Sequence, residues 1–255
     1  TYTTLFRSAN GTKLIFRTPI TSFGDSGAVT LNATKGNINV GEINTASLTG
    51  IGREVNLKAA GNINLNSSLS AVNKINILAD TDSNGIGNFQ MNTTDTIQAN
   101  GKSVDIKGIN LTVGDINTSD VLGGGNITLT AAGDISTEDL NSSSLSFSET
   151  AGNGGNISVS TTNGYIQTQS LDSSSFSDSG TAGNGGNISV STTNGYISTE
   201  DLSSYSFSDS GTAGNGGNIS VSTTNGYIST EDLSSYSFSD SGTAGNGGEI
   251  SLAAP

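Results

Sequence analysis

Residues 182–212 read AGNGGNISVSTTNGYISTEDLSSYSFSDSGT, and residues 213–243 repeat this stretch without a single change. The glycine pair of the repeat recurs every 31 residues, and earlier in the chain it opens one diverged copy and one copy that is a residue shorter. The pairs are Gly124-Gly125, Gly154-Gly155, Gly185-Gly186, Gly216-Gly217 and Gly247-Gly248. A fixed period of this length is typical of solenoid proteins, in which each repeat is one structural unit stacked on the next.

An apolar residue, one polar residue and a second apolar residue form a doublet that recurs along the chain. Period-two alternation with β-branched residues is typical of a half-buried β-strand. The nine doublets are Val29/Leu31, Val55/Leu57, Ile75/Ile77, Val104/Ile106, Ile127/Leu129, Ile157/Val159, Ile188/Val190, Ile219/Val221 and Ile250/Leu252. Their spacing of 20 to 31 residues suits one turn of a β-solenoid, with loops absorbing the variation. The sequence therefore predicts an all-β solenoid of about nine coils.

In three of the regular copies, further inward positions follow the doublet after an Asn-Gly turn such as Asn194-Gly195, and Ile135 is at the matching place in the shorter copy. We expect three inward columns, each touching its own kind at about 4.8 Å above and below. They are Ile135/Ile166/Ile197/Ile228, Leu140/Leu171/Leu202/Leu233 and Leu145/Phe176/Phe207/Phe238. Tyr165, Tyr196 and Tyr227 precede an inward Ile, so we expect an outward tyrosine column there. Tyr205 and Tyr236 are expected to share the inward side with the phenylalanines.

The composition excludes several classes of chemistry. The chain of 255 residues has 35 glycines and 32% hydrophobic residues, with no histidine and no cysteine. A histidine general base, a cysteine nucleophile, a His/Cys zinc site and a disulfide scaffold are therefore excluded. No apolar run has the roughly 20 residues that a membrane-spanning helix needs. Because Thr1 is not an initiator methionine, we expect a processed piece of a longer precursor.

Paired acids are the strongest candidates for chemistry. Glu200-Asp201 recurs as Glu231-Asp232, Glu138-Asp139 stands at the matching place, and Gln169-Ser170 replaces the pair in the coil between. A glycosidase needs two carboxylates in different environments, whereas a repeated identical pair indicates a solvated face. We therefore predict no enzymatic activity and no catalytic residue. The alternative is a calcium ladder on Glu200, Asp201, Glu231 and Asp232, since calcium takes hard oxygen ligands.

The charges are distributed unevenly along the chain. Residues 1–107 contain all nine basic residues and seven acids, and residues 108–255 contain fifteen acids and no base. With a net charge of −13, binding to nucleic acid is not expected. A solenoid converts this asymmetry into a mildly basic head and a strongly acidic tail, which favours head-to-tail contact between copies.

The segments GNITLTAAGDI at residues 125–135 and GNINL at residues 61–65 resemble the coils of filamentous-haemagglutinin-type proteins. The GNGGNISVSTTNG repeats are similar to the large cyanobacterial members of that group, and the resemblance covers roughly residues 27–255. It implies a right-handed parallel β-helix that is exported to the cell surface and acts as an adhesin or surface fibre. The secretion domain of the family is not recognisable in this sequence.

Three segments are predicted: a strand and cap region at 1–26, irregular solenoid coils at 27–123 and regular 31-residue repeats at 124–255. Within the first, residues 2–7 and 12–17 read as two strands of a hairpin around Ala9-Asn10-Gly11. We expect this region to join subunits by strand addition, as open strand edges allow. The predicted joining residues are Leu14, Ile15, Phe16, Ile250 and Leu252.

The predicted function is that of an extracellular structural or adhesive rod. Its expected partners are further copies of itself and surface or matrix polysaccharide. Two alternatives stay open at this point. The outward rows Ser158/Ser189/Ser220 and Ser160/Ser191/Ser222 fit an ice- or carbohydrate-binding surface, for which thermal hysteresis is the discriminating assay. A carbohydrate-active β-helix enzyme is the other, and it lacks a non-repeated cluster of acids and bases.

Overall fold

The structure is a computed structural model that describes residues 4–8, 13–16, 18–21, 28–45 and 54–255. Every regular element within these residues is a β-strand. The strands, in chain order, are β1 (Thr4–Ser8), β2 (Lys13–Ile15), β3 (Ile20–Thr21), β4 (Val29–Ala33), β5 (Asn37–Val40), β6 (Ile43–Asn44), β7 (Val55–Ala59), β8 (Ile63–Leu65), β9 (Leu69–Ser70), β10 (Ile75–Leu78), β11 (Phe89–Met91), β12 (Thr96–Gln98), β13 (Val104–Gly108), β14 (Leu111–Val113), β15 (Asp115–Asn117), β16 (Ile127–Ala131), β17 (Ile135–Thr137), β18 (Leu140–Asn141), β19 (Ser144–Ser146), β20 (Ile157–Asn163), β21 (Ile166–Gln167), β22 (Leu171–Asp172), β23 (Ser175–Ser177), β24 (Ile188–Asn194), β25 (Ile197–Ser198), β26 (Leu202–Ser203), β27 (Ser206–Ser208), β28 (Ile219–Asn225), β29 (Ile228–Ser229), β30 (Leu233–Ser234), β31 (Ser237–Ser239) and β32 (Ile250–Ala253).

These strands form four parallel sheets, each of which takes one strand from successive turns of the chain. The first sheet has ten strands in the order β1-β4-β7-β10-β13-β16-β20-β24-β28-β32, and the second and third sheets have nine strands each. A fourth sheet, β19-β23-β27-β31, runs through the regular repeats. Every turn, here called a coil, therefore lies directly on its neighbour, and the predicted all-β parallel solenoid is confirmed.

The predicted doublets all lie in the first sheet, one above the other. Ile157 pairs with Ile188, and Ile188 pairs with Ile219, so that identical side chains meet in register. The first eight doublets are buried. Ile250 and Leu252 are 44% and 50% exposed, because β32 is the outermost described strand of this sheet and has a neighbouring strand, β28, on one side only.

Two of the three columns expected inside are confirmed. Ile135, Ile166 and Ile197 form a buried column in the second sheet, and the leucines from Leu140 to Leu202 form another in the third. In the coil of β28–β31, Ile228 and Leu233 pack against this core but stay partly exposed. Burial of such side chains is the main stabilising contribution, at about 25 cal/mol per Å² of apolar surface.

The third inward column, made of Leu145, Phe176, Phe207 and Phe238, is wrong. Leu145 is 43% exposed and Phe238 is 46% exposed, and the phenylalanine rings stack on the outside of the fourth sheet. The strands of this sheet read Ser-X-Ser, and alternation along each strand places both serines inside. Tyr205 and Tyr236 lie on the phenylalanine side, so their expected inward position is wrong as well.

Small serines lie inside in place of the phenylalanines because the facing segment is glycine-rich and its backbone comes close. The glycine pair of each repeat runs close to the fourth sheet, and a Cβ on Gly186 would collide with the carbonyl oxygen of Gly155 in the coil before it. The hydroxyl of Ser204 donates to the carbonyl oxygen of Gly186. The solenoid thus has an apolar interior between the first three sheets and a hydrogen-bonded, serine-lined interior beside the glycine turns.

The N-terminal strands belong to the solenoid. β1, β2 and β3 pair in parallel with β4, β5 and β6 and lie in the first, second and third sheets respectively. The predicted hairpin is therefore wrong, since the backbone of β1 and β2 pairs with the following coil. The predicted turn at residues 9–11 lies outside the described residues, and the division of the chain at 26 and 123 stays a prediction.

Candidate functional site

The acidic pairs lie at the corner between the second and third sheets. Glu200-Asp201 connects β25 to β26, and Glu231-Asp232 connects β29 to β30 one coil further on. All four side chains are exposed. The Asp201 carboxylate accepts a hydrogen bond of 3.2 Å from the backbone N–H of Asp232. The same contact joins Ser170 to Asp139 at 3.1 Å, so this position satisfies a backbone donor of the next coil.

This arrangement gives the predicted calcium ladder no ready-made centre. Within the part of the chain that the structure describes, no three acidic side chains gather closely enough to hold a metal ion. The corner instead carries a column of exposed negative charge, made of Glu200, Asp201, Glu231 and Asp232. Calcium binding by this column stays a prediction.

A second acidic column, which sequence reasoning missed, follows the fourth sheet. Asp178, Asp209 and Asp240 come directly after β23, β27 and β31 and repeat with the 31-residue period. A hydrogen bond to Asp178 raises the pKa of the Asp209 carboxyl, and desolvation and the charges of Asp178 and Asp240 raise it further. The 31-residue period alone would have found this column, although it ends at Asp178, because the coil before has Phe147 at the same register position.

Aromatic rings form three columns on the outside of the regular coils. Tyr165, Tyr196 and Tyr227 stack with ring centroids 5.2 Å apart, which confirms the predicted outward column. The phenylalanines from Phe176 to Phe238 stack at 5.3 Å, and Tyr205 stacks on Tyr236 at 5.0 Å. Desolvation between the rings raises the pKa of the Tyr196 phenol, and the two neighbouring tyrosines add to the rise.

The two rows of outward serines are in register on the first sheet. Ser158, Ser189 and Ser220 occupy one row, and the row from Ser160 to Ser222 runs beside it. In the glycine turns, asparagine side chains link neighbouring coils. The Asn153 side chain accepts a hydrogen bond of 2.8 Å from the backbone N–H of Asn184, and the Asn184 side chain accepts one of 2.7 Å from the backbone N–H of Asn215. Because these amide oxygens bind backbone donors of the next coil, the asparagines of the glycine turns have a structural role.

A cavity of about 320 Å³ opens where the Tyr236–Tyr205 stack ends. We call it the Tyr205 notch. One side is apolar and holds Leu145, Phe147 and Phe176, and the other side is polar and holds Asn141 and Asp172. Burial raises the pKa of the Asp172 carboxyl, and hydrogen bonds from Ser174 partly offset this rise. The notch thus combines aromatic walls with a half-buried carboxylate.

The predicted joining residues fall into two different sheets. Leu14 and Ile15 belong to β2 in the second sheet, and Phe16 follows directly and packs against the core. Ile250 and Leu252 belong to β32 in the first sheet. The structure thus does not place these two groups in the same column of strands.

The fold defines the class of protein, a parallel β-solenoid. No protein-family model, no curated protein and no solved structure matches this chain. Within the described ranges, no helix is long and apolar enough to cross a membrane.

Proposed function

We propose that this protein is a non-enzymatic structural and adhesive rod that works outside the cell. The observation that carries the proposal is the first sheet, in which ten parallel strands continue without interruption between the outermost described strands β1 and β32. A sheet of this kind presents unpaired backbone donors and acceptors along its outermost strands, and these invite pairing with another chain. The resemblance to filamentous-haemagglutinin-type surface proteins supports the same role.

We propose further that rods join head to tail by strand addition. Because β1 and β32 lie in the same sheet, a joint that continues the first sheet pairs β32 of one copy with β1 of the next. Leu14 and Ile15 of β2 then lie beside the joint, as part of the second sheet, and Ile250 and Leu252 become buried in it. A head-to-tail contact with a fixed rotation does not close on itself, so it yields a filament.

The charge distribution supports this polarity. The head, residues 1–107, carries every basic residue, and the tail, residues 108–255, carries fifteen acids and no base. Long-range attraction orients a basic head towards an acidic tail and disfavours contact between two tails. Assembly should therefore be fastest at low ionic strength, where the Debye length is longest.

Electron microscopy of the chain at high concentration and moderate salt tests the joining model. We expect axial fibres from the 255-residue chain and separate, folded rods from a variant that lacks residues 1–26, because this deletion removes β1 together with the basic residues Arg7, Lys13 and Arg17 of the head. The variant Ile250→Lys with Leu252→Lys changes only the other side of the joint and should also abolish fibres. Fibres of unchanged appearance from the truncated chain, or a monomeric complete chain, would overturn the model.

Surface or matrix polysaccharide is the proposed adhesion partner, and the outward column of Tyr165, Tyr196 and Tyr227 is the surface proposed to contact it. Stacked phenol rings offer apolar faces with a polar edge, which suits sugar rings. Replacing all three tyrosines by serine should remove retention on polysaccharide-coated beads, whereas serine at Phe176 and Phe207 should not. Equal retention of both variants would argue against this surface.

A further inference from the structure

The Tyr205 notch exists because one column of rings stops in mid-rod. Tyr236 covers one face of the Tyr205 ring, with an interplanar angle of 6°. The same register position is Ser174 in the coil before and Ser143 in the coil before that. Two serines therefore stand where two further tyrosines would continue the stack, and the space that those rings would fill is the notch.

The apolar wall of the notch is the corresponding end of the phenylalanine column. Phe176 stacks on Phe207 at 5.3 Å, but its contact with Phe147 on the other side is tilted by 60° at 6.4 Å. Phe147 is 68% exposed, and Leu145 occupies the column position below Phe176. The ring of Phe147 thus lines the notch instead of continuing the column.

The polar wall carries a carboxylate that occurs in this coil alone. Asp172 pairs in register with Asn141 on one side and with Ser203 on the other. Its oxygen accepts a hydrogen bond of 2.9 Å from the backbone N–H of Ser174. Residues 108–255 contain no lysine or arginine, so this half-buried charge has no cationic partner within its own half of the chain.

We propose that the Tyr205 notch binds an alkylammonium group, as carried by a lysine side chain or an amino sugar. An ammonium ion between aromatic rings and a desolvated carboxylate gains both cation–π attraction and charge pairing. The cavity of about 320 Å³ is of the size that holds one such group. The acidic tail attracts cations to this part of the rod and repels acidic ligands. This binding activity goes beyond the rod function and does not depend on fibre formation.

The charge of Asp172 separates this proposal from binding of a neutral sugar. A carboxylate that loses water to a neutral ligand keeps its desolvation cost, whereas a cation offsets that cost. Tyr205 is the titratable group that faces Asp172, and burial together with the negative charge of Asp172 raises the pKa of its phenol. The phenol is therefore neutral at physiological pH, and Asp172 is the group that confers selectivity for a cation.

Titration of the complete chain by calorimetry or NMR, with four probes, tests the proposal. Nα-acetyl-lysine amide and glucosamine carry the ammonium group, and Nα-acetyl-norleucine amide and N-acetylglucosamine are their uncharged counterparts. We expect at least one charged probe to bind about tenfold more tightly than its counterpart, and the better of the two identifies the source of the ammonium group. Equal binding of charged and uncharged probes, or no binding of any, would overturn the proposal.

Two variants locate the binding. Asp172→Asn recreates the Asn141 side chain of the preceding coil and should weaken binding of the charged probe about tenfold. Ser174→Tyr extends the Tyr236–Tyr205 stack into the notch and should abolish binding while the rod stays folded. Glu231→Gln removes one exposed charge elsewhere and should leave binding unchanged. Loss of affinity in Glu231→Gln equal to that in Asp172→Asn would reduce the effect to general attraction and refute the site.

Discussion

The hydroxyl of Ser206 donates a hydrogen bond of 2.6 Å to the carbonyl oxygen of Gly183, which lies 23 residues earlier in the same coil. The next coil repeats this contact between Ser237 and Gly214 at 2.6 Å, and the coil before has it between Ser175 and Gly152 at 2.7 Å. The serine thus ties the fourth sheet to the glycine turn and closes the coil through its interior.

Replacing Ser206 with alanine removes this closure. The carbonyl oxygen of Gly183 then loses the donor supplied by the buried hydroxyl. We expect the free energy of unfolding to fall by about 1–3 kcal/mol. Chemical denaturation of the variant against the unchanged chain measures the loss. Ser210→Ala, at an exposed position of the same coil, is the matched control and should change stability by less than about 0.5 kcal/mol. Equal stability of both variants would contradict a structural role for the serine column.

Replacing Ile197 with aspartate places an unpaired carboxylate between Ile166 and Ile228. Ile197 is fully buried, so we expect a cost of at least about 3 kcal/mol. Because each coil contacts only its neighbours, hydrogen exchange should become fast around residue 197 and stay slow in β4 to β11. Thr193→Asp, at an exposed position of the adjoining strand, should leave exchange unchanged. Loss of protection along the whole rod would contradict nearest-neighbour stability.

Salt and calcium should raise the melting temperature of the C-terminal coils. Glu200-Asp201 and Glu231-Asp232 follow each other at the same corner, where like charges on neighbouring coils repel and added ions screen them. Thermal unfolding in EDTA at low salt, in high salt and in millimolar calcium measures the effect. A rise in calcium that exceeds the rise in sodium chloride of equal ionic strength would favour a calcium ladder. Equal melting temperatures in all three solutions would show that this column does not limit stability.

Mild acid should stabilise the regular coils. The pKa values of Asp172 and Asp209 are raised above their ordinary value of 3.8, by burial and by the hydrogen bond to Asp178 respectively. The folded state therefore binds more protons than the unfolded state above this value, so the contribution of these groups is fully present below pH 3.8 and is lost as the pH rises through their folded pKa values.

The comparison that isolates this contribution uses the double variant Asp172→Asn with Asp209→Asn. Lowering the pH from 7 to 4 should raise the melting temperature of the unchanged chain relative to that of the double variant. Glu231→Gln with Glu249→Gln, which changes two exposed acids outside these clusters, is a charge-matched control. A double variant with the same pH dependence as the unchanged chain would show that the raised pKa values do not contribute to stability.

The doublets of the first sheet were predictable because β-branched and apolar residues at period two are typical of a half-buried strand. The phenylalanine column was not, since Phe207 lies five residues after Leu202 and an inward position was assigned by that spacing alone. Serine is compatible with both faces of a strand, and only the carbonyl oxygens of the glycine turn give it a reason to lie inside. Likewise, Ala9-Asn10-Gly11 is typical of a hairpin turn, but β1 pairs with β4 and β2 pairs with β5 instead of pairing with each other.

The Tyr205 notch was written in the sequence as a difference between copies, with Ser174 where the next copy has Tyr205. A cavity can be predicted from such a difference only when the rings are known to stack on one side of the rod. Asp172 gives no separate signal either, because its importance comes from burial beside those rings.

Residues 182–212 and 213–243 are identical, and each contacts its neighbours through the same register. Removing residues 182–212 would join Thr181 to Ala213, which restores the Thr-Ala junction already present between Thr212 and Ala213. The shortened chain would contain only contacts that the longer chain also makes. Recombination between the two gene stretches that encode these repeats would therefore lengthen or shorten the protein in steps of one coil, about 4.8 Å each, without creating a new junction in the protein. The length of the rod is therefore set by the number of repeats that the gene encodes.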